Sequence, residues 1–169
     1  MNIEQQIADY KPYNEQEAHD QAVMRQLLAT QPDLFTRENQ VVHMTASSWL
    51  LNATHDKVLM IYHNIYHSWA WTGGHADGDR DLLAVAKREA MEETGVTEIR
   101  TISEDIFSLE ILTVDGHEKR GVYVPSHLHL NVSYLLEADE EEVLRIKPDE
   151  NSGVRWFFLE EALAACSEP

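Results

Sequence analysis

Between Trp71 and Val96 the chain reads W-T-G-G-H-A-D-G-D-R-D-L-L-A-V-A-K-R-E-A-M-E-E-T-G-V, a glycine-rich loop feeding one helix. Gly73, Gly74 and Gly78 permit tight turns and close approach of the backbone to a ligand. From Asp81 to Thr94 there is no Gly or Pro, only Val85 and Thr94 are β-branched, and Gly95 stands where a left-handed cap ends a helix. At about 100° per residue, Glu89, Glu92 and Glu93 fall on one arc of that helix, and Leu82, Val85 and Ala86 precede them on the same arc. A stripe that turns from apolar to acidic along its length aims its carboxylates inward. Gathered there, they repel one another unless a proton or cation lies between them, and hard oxygen ligands of this kind suit Mg²⁺ or Mn²⁺. Arg88, four residues before Glu92, is in reach to orient that carboxylate.

A run R-E-x-x-E-E is common on solvated helices, so the flanking glycines decide its reading. Together the residues resemble the Nudix box, G-x5-E-x7-R-E-U-x-E-E-x-G-U with U aliphatic. Gly74, Arg88, Glu89, Glu92, Glu93, Gly95 and Val96 match it, and Ala90 is a small version of its aliphatic position. One position departs. Where the box has its first Glu, this chain has Arg80, flanked by Asp79 and Asp81. In the family that Glu mostly braces the loop against the helix. A neighbouring Asp is available for the same task, and Arg80 is available for a substrate phosphate.

The chain has 169 residues, enough for one domain with its own core, and no apolar run approaches the length of a bilayer span. The N-terminus, M-N-I-E-Q-Q-I-A-D-Y, has neither a basic region nor an apolar core of a secretory signal. A single cysteine, Cys166, rules out an intramolecular disulfide and suits a reducing compartment, so a cytoplasmic protein is expected. The formal charge of −17 argues against binding polymeric nucleic acid, which needs a basic surface. A small phosphorylated molecule needs only a few local cations, and remains open as a partner.

Residues 13–30 read as a helix capped by Asn14, with Glu17 completing a capping-box pair. Together with a link over residues 31–40 it makes an N-terminal helical extension, 1–40, packed on a core domain of residues 41–169. Val41–Leu51 and Lys57–His63 read as a strand pair around the turn N-A-T-H-D. Trp69 and Trp71 lead into the glycine loop, either to stack on a base or to wall the core. His43, His55, His63 and His67 are read as ordinary surface or core histidines.

After the box, Ile99–Val114 is extended, and residues 115–125 read as a mobile loop whose Lys119 and Arg120 grip phosphate if they lie near the site and form a solvated turn if they do not. Over Ser126–Ala138 the alternation puts His127, His129, Asn131 and Ser133 on one face and Leu128, Leu130 and Val132 on the other. That polar row is a candidate pocket wall. His75, beside the glycine pair, joins His127 and His129 as candidates for binding phosphate or a second metal. The acidic run Glu137–Glu142 reads as a solvated segment. A short strand over Val154–Phe158 and a closing helix from Leu159 complete the chain.

The resemblance implies an α/β protein, a Nudix-type α/β/α sandwich with a mixed β-sheet, over residues 41–165. It implies a metal-dependent hydrolase that cleaves a diphosphate bond in a nucleoside diphosphate linked to another moiety X. Glu89, Glu92 and Glu93 and the Gly73 carbonyl would hold Mg²⁺ or Mn²⁺, with Glu150, six residues before Trp156, as the further acid of the loop before the final strand. Two other readings follow from it: a nucleotide-sensing module, motivated by Arg80, and an isoprenoid diphosphate isomerase, which calls for a loop cysteine this chain lacks. Homodimers are frequent in the family, and a homodimer is one expected partner state.

Overall fold

A computed structural model describes residues 2–167; Met1, Glu168 and Pro169, at the outer ends of the two expected units, lie outside the described residues. Two helices, α1 (Ile3–Asp9) and α2 (Glu15–Thr30), precede strand β1 (Val42–Leu51). Strands β2 (Lys57–His63), β3 (Ser68–Ala70) and β4 (Thr72–His75) lead into α3 (Leu82–Thr94). Then come β5 (Arg100–Thr101), β6 (Ser108–Val114), β7 (His117–Lys119), β8 (Val122–Val124), β9 (His127–Glu137), β10 (Asn151–Phe158) and α4 (Leu159–Ala165). Among the described residues no helix is long and apolar enough to cross a membrane.

The sheet is built on β1 and β9, which run parallel in unbroken register from Val42 opposite Leu128 to Leu51 opposite Glu137. Every other pairing is antiparallel, so the sheet is mixed as expected. Both central strands change partner along their length. Thr45–Ser48 of β1 pair with β4, whereas Leu50 and Leu51 pair with β2; β9 does the same with β6 and then β5. The expected strand pair around N-A-T-H-D is therefore brief, closed by the Asn52 side chain, whose Oδ1 accepts from the amides of Asp56 and Lys57 at 3.1 and 3.0 Å. Past that point the strands diverge, and the glycine-bearing β4 takes the space beside β1.

Alternation gives the sheet two different faces. Met44, Ala46, Leu50, Leu130, Val132 and Leu136 pack under α1, α2 and α3 in one apolar cluster, to which Ile3, Ile7, Met24, Val85 and Ala90 contribute from the helices. On the opposite face Val58, Met60 and Phe157 pack against Ala162 of α4, with Trp49 and Trp69 beside them. Trp69 lies edge-on to Phe157 at 4.9 Å, and Trp71 is tilted against Trp49 at 5.8 Å. Helices thus cover both faces, but α4 covers only one end of its own. The rest of that face carries His43, Thr45, Ser47, His127, His129, Asn131 and Ser133.

Helix ends follow the capping signals. Asn14 accepts from the Glu17 amide at 2.9 Å, and Glu17 reaches back to the Tyr13 amide at 2.6 Å. Asp81 caps α3 through the Ala84 amide at 3.0 Å, and Gly95 closes it at φ +80°, with its N–H donating to Met91. Two segments depart from the sequence reading. Periodicity gives no helix before residue 13, because α1 is seven residues long and its pattern is the single pair Ile3 and Ile7. The expected mobile loop over 115–125 is instead a β7–β8 hairpin, turned at Arg120 (φ 53°) and Gly121 (φ 77°), the paired positive angles that a tight two-residue hairpin turn needs.

Because Ile7 is fully buried in the main core, Ile7→Ala is expected to destabilise the whole protein by about 2–4 kcal/mol. Urea denaturation followed by circular dichroism checks this. A midpoint within error of wild type would show that α1 is a peripheral appendage.

Candidate active site

The glycine pair is pinched between β1 and α3. A Cβ on Gly73 would lie 2.5 Å from Ser47 Oγ and 2.8 Å from the Ala46 carbonyl oxygen, and a Cβ on Gly74 would lie 2.4 Å from Glu89 Cδ. At Gly73 a backbone oxygen leaves room only for hydrogen, and at Gly74 a side chain would displace Glu89. The Gly73 N–H donates to Glu93 Oε2 at 3.0 Å, so the last carboxylate of the box is fastened to the glycine turn. Glu93 is 2% exposed, and burial, partly offset by the Gly73 amide, pushes its pKa up to about 8. Glu89 is shifted in the same direction by burial and by the neighbouring Glu92.

The three glutamates do not converge to the same depth. Glu92 is about half exposed and bonds the Lys147 ammonium at 3.0 Å; the same ammonium reaches Glu150 at 3.1 Å. Lys147 is a site residue the sequence reading passed over, although its place three residues before Glu150 was a usable signal. Asn151 was passed over as well. Fully buried, it donates through Nδ2 to the Glu93 carbonyl at 2.9 Å and accepts the Lys147 amide at 3.2 Å, which ties the end of α3 to the loop bearing Lys147 and Glu150.

Arg88 takes different partners from the one expected. Its guanidinium lies 3.5 Å from Asp79 and 3.8 Å from Glu89, while Glu92 goes to Lys147. The i,i+4 spacing to Glu92 loses because Asp79 and the more buried Glu89 lie on the loop side of Arg88. Arg80 pairs with Glu4 of α1 and stacks over the Phe35 ring at 4.1 Å, so it bonds to the N-terminal extension. Arg120, on the β7–β8 turn, pairs with Asp149 at 3.2 Å, which brings the hairpin against the loop that carries Glu150. Lys119 adds to the burial that lowers His63 and His75. Cys166 follows α4 and packs with the core beneath it, away from the glycine loop.

On the open part of the second sheet face, His127 and His129 do share a side with Asn131 and Ser133. Asn131 Oδ1 accepts from Thr45 Oγ1 at 3.0 Å and Ser47 Oγ at 2.8 Å, and its Nδ2 donates to Glu110 and Ser133 at 3.3 Å each. His75 joins His127 and His129, and so does His43, which the sequence reading treated as an ordinary histidine. One ring nitrogen or another from each of the four lies within 4.8 Å of the rest. Burial and mutual repulsion lower His43, bring His75 to about 3 and bring His129 to about 2, so these rings are neutral at physiological pH.

These shifts have opposite consequences for stability. His75 and His129 are depressed from 6.5, so their contribution is complete above pH 6.5 and is lost as pH falls toward 3. Glu93 is raised from 4.5 to about 8, so the folded protein holds its proton more tightly and loses stability as pH rises between those values. Above pH 6.5 the histidine effects are complete, and from there to pH 8 Glu93 alone is expected to cost the metal-free protein on the order of 1–2 kcal/mol, with the raised Glu89 and Glu110 acting in the same direction. Thermal melts in chelator at pH 6.5 and 8, wild type against Glu93→Gln, test this. Equal slopes for the two proteins would disprove the assignment.

The NUDIX domain model matches residues 41–169. Among solved structures, the chain is similar to a Caenorhabditis elegans Ap4A hydrolase (TM-score 0.55, 20% identity, covering 74% of this chain and 86% of that one). It is similar to the NUDIX domain of Shewanella oneidensis NrtR complexed with ADP ribose (TM-score 0.50, 19% identity, 98% and 88% covered). A NUDIX-family hydrolase from Clostridium perfringens gives a TM-score of 0.50 at 20% identity, with 73% and 85% covered. At these identities the structures speak for the fold alone. No curated protein sequence matches as a relative. The family model, spanning well over half of the chain, decides the matter: the protein belongs to the Nudix hydrolase family.

Proposed function

We propose that the protein hydrolyses a diphosphate linkage in a nucleoside diphosphate joined to another group X, using Mg²⁺ or Mn²⁺. The observation that carries this reading is the seating of Glu93, a buried carboxylate locked to the Gly73 amide, with Glu89 against Gly74 and Glu92 and Glu150 at the rim. This donor set fits a hard divalent ion: it is all oxygen, and the burial that raises Glu93 and Glu89 is relieved by a positive charge as well as by a proton. Glu89, Glu92, Glu93 and Glu150, with the Gly73 carbonyl, would hold it. When bound, the ion supplies charge for the phosphate oxygens and lowers the pKa of a water.

The protein's own groups do the rest. Glu89, whose pKa burial and the neighbouring Glu92 raise, is suited to accept the proton of the attacking water, with Glu150 assisting. Arg88 holds Glu89 from one side and Asp79 from the other, so Asp79 takes the bracing task left by the missing first Glu of the box. Arg80, engaged with Glu4 and Phe35, braces α1. Lys147 neutralises Glu92 and Glu150 until substrate and ion arrive. Lys119 and Arg120, on a hairpin already linked to Asp149, grip the substrate's phosphates. That two similar proteins are named for Ap4A or carry ADP ribose supports a nucleotide-derived substrate with a phosphoanhydride. A net charge of −17 supports a small one.

A screen of nucleoside diphosphate derivatives with Mg²⁺ or Mn²⁺, coupled to a phosphatase, is expected to find turnover. Glu93→Gln should lower kcat by about 10²-fold or more while leaving the circular dichroism spectrum unchanged. Wild-type rates in that variant would refute the assignment. Lys119→Ala with Arg120→Ala is expected to raise KM about tenfold with little change in kcat, as loss of uniform phosphate binding does. A fall in kcat at constant KM would place these cations in the transition state instead.

A further inference from the structure

We propose that His43, His75, His127 and His129 form a binding site for one divalent transition-metal ion, zinc being the ion they fit best. This site is separate from the carboxylates of the box. It does not rest on the diphosphate reading.

Topology assembles it. In the parallel ladder His43 stands directly opposite His129, and His127 is two residues earlier on the same face of β9. His75 of β4 stands opposite Thr45, which shares its face with His43. Three adjacent strands thus deliver four imidazoles to one spot, with ring centroids 4.9–5.1 Å apart for His43 against each of the other three. Because successive residues of β4 point to opposite sides, His75 faces away from Gly74 and Glu89 and toward the side where Gly73 meets Ser47.

Hydrogen bonds fix what these rings offer. His43 Nδ1 lies 3.0 Å from the Asn39 carbonyl oxygen and His127 Nδ1 lies 2.8 Å from that of Pro125. A carbonyl can only accept, so in both rings the proton is on Nδ1 and Nε2 carries a lone pair. His43 is 4% exposed, and its buried Nε2 has no hydrogen-bond partner among the described residues. An imidazole whose outer N–H is held by a carbonyl while its inner nitrogen is left without a partner has the form of a metal ligand with its supporting shell in place. His127 Nε2 is 3.1 Å from His129 Nε2, a contact that needs one proton between two nitrogens; since His127 has spent its own, His129 donates it.

The lone pairs decide between the two ligands the histidines could take. An anion such as phosphate needs donors, and His43 and His127 present none inward. A cation needs lone pairs. Four imidazole nitrogens without a carboxylate or thiolate favour zinc and its neighbours over magnesium or calcium. Around zinc at a bond length of about 2.0–2.1 Å, tetrahedral nitrogens lie about 3.3 Å apart. One pair is already at 3.1 Å and all four lie within 4.8 Å, so modest ring rotations, with the His129 proton moved from Nε2 to Nδ1, close the site. A bound ion would staple β4, with both glycines of the box, to β1 and β9.

The experiment titrates chelator-stripped protein with zinc by calorimetry and with cobalt by visible absorption, in excess Mg²⁺. One equivalent of zinc is expected, with Kd below about 1 µM, and cobalt should give the intense bands of a four-coordinate nitrogen site. His43→Leu and His129→Gln should each weaken zinc binding about 100-fold or more, whereas Glu93→Gln should bind it as wild type does. No stoichiometric zinc uptake by the wild-type protein would overturn the proposal, as would the weak cobalt spectrum of a six-coordinate oxygen site. Loss of zinc binding in Glu93→Gln would assign the ion to the box instead. Because the cobalt spectrum is read on the wild-type chain, it decides between these outcomes even where a histidine variant fails to fold.

Discussion

The parallel pairing of β1 with β9 is the constraint from which the rest of this protein follows. It is unbroken over the whole of β1, and alternation along it sorts the residues of both strands into an apolar face under α1, α2 and α3 and a second face that α4 covers at one end only. Because β1 and β9 each exchange one antiparallel partner for another midway, the sheet forks. The glycine turn runs beside that fork, with Gly73 against Ser47 on one side and Gly74 against Glu89 on the other. The box helix is thus held by the strand that also carries His75.

Two kinds of buried polar group lie close together on either side of β4, and they are handled differently. On the α3 side, carboxylates are kept by a backbone amide and by Lys147, and the innermost of them, Glu93, is protonated near neutrality when no cation is near. On the other side, burial lowers His43, His75 and His129, and carbonyls of Asn39 and Pro125 accept the outer protons of His43 and His127. Acidic oxygen and neutral nitrogen favour different classes of ion. Between them the Thr45, Ser47, Asn131 and Ser133 network satisfies the polar side chains of the shared strands.

Where the sequence reading held, the signal was local. Asp81 and Gly95 cap the box helix where their residue types predict, Asn14 and Glu17 do the same for α2, and the alternation of β9 gave its two faces correctly. Where it missed, the deciding partner was remote or the segment too short. Arg88 was assigned to Glu92 by helical spacing, but Asp79 on the preceding loop and Glu89 take the guanidinium at 3.5 and 3.8 Å. Arg80, weighed for phosphate, pairs with Glu4 and stacks on Phe35, partners from a part of the chain whose packing no spacing rule could place. The 115–125 segment looked mobile because its turn residues are an arginine and a glycine instead of the commoner Asn-Gly pair, yet both take positive φ.

By itself the sequence determined the box, the caps that begin and end its helix, the mixed α/β class and the acidic chemistry, because these depend on residue type and on periods of a few residues. The tertiary structure alone decided that Lys147 and Asn151 belong to the acidic site and that His43 stands with His75, His127 and His129. Those meetings depend on strand order and register, which bring together residues far apart in the chain, and no repeat within one element encodes which strand will lie beside another.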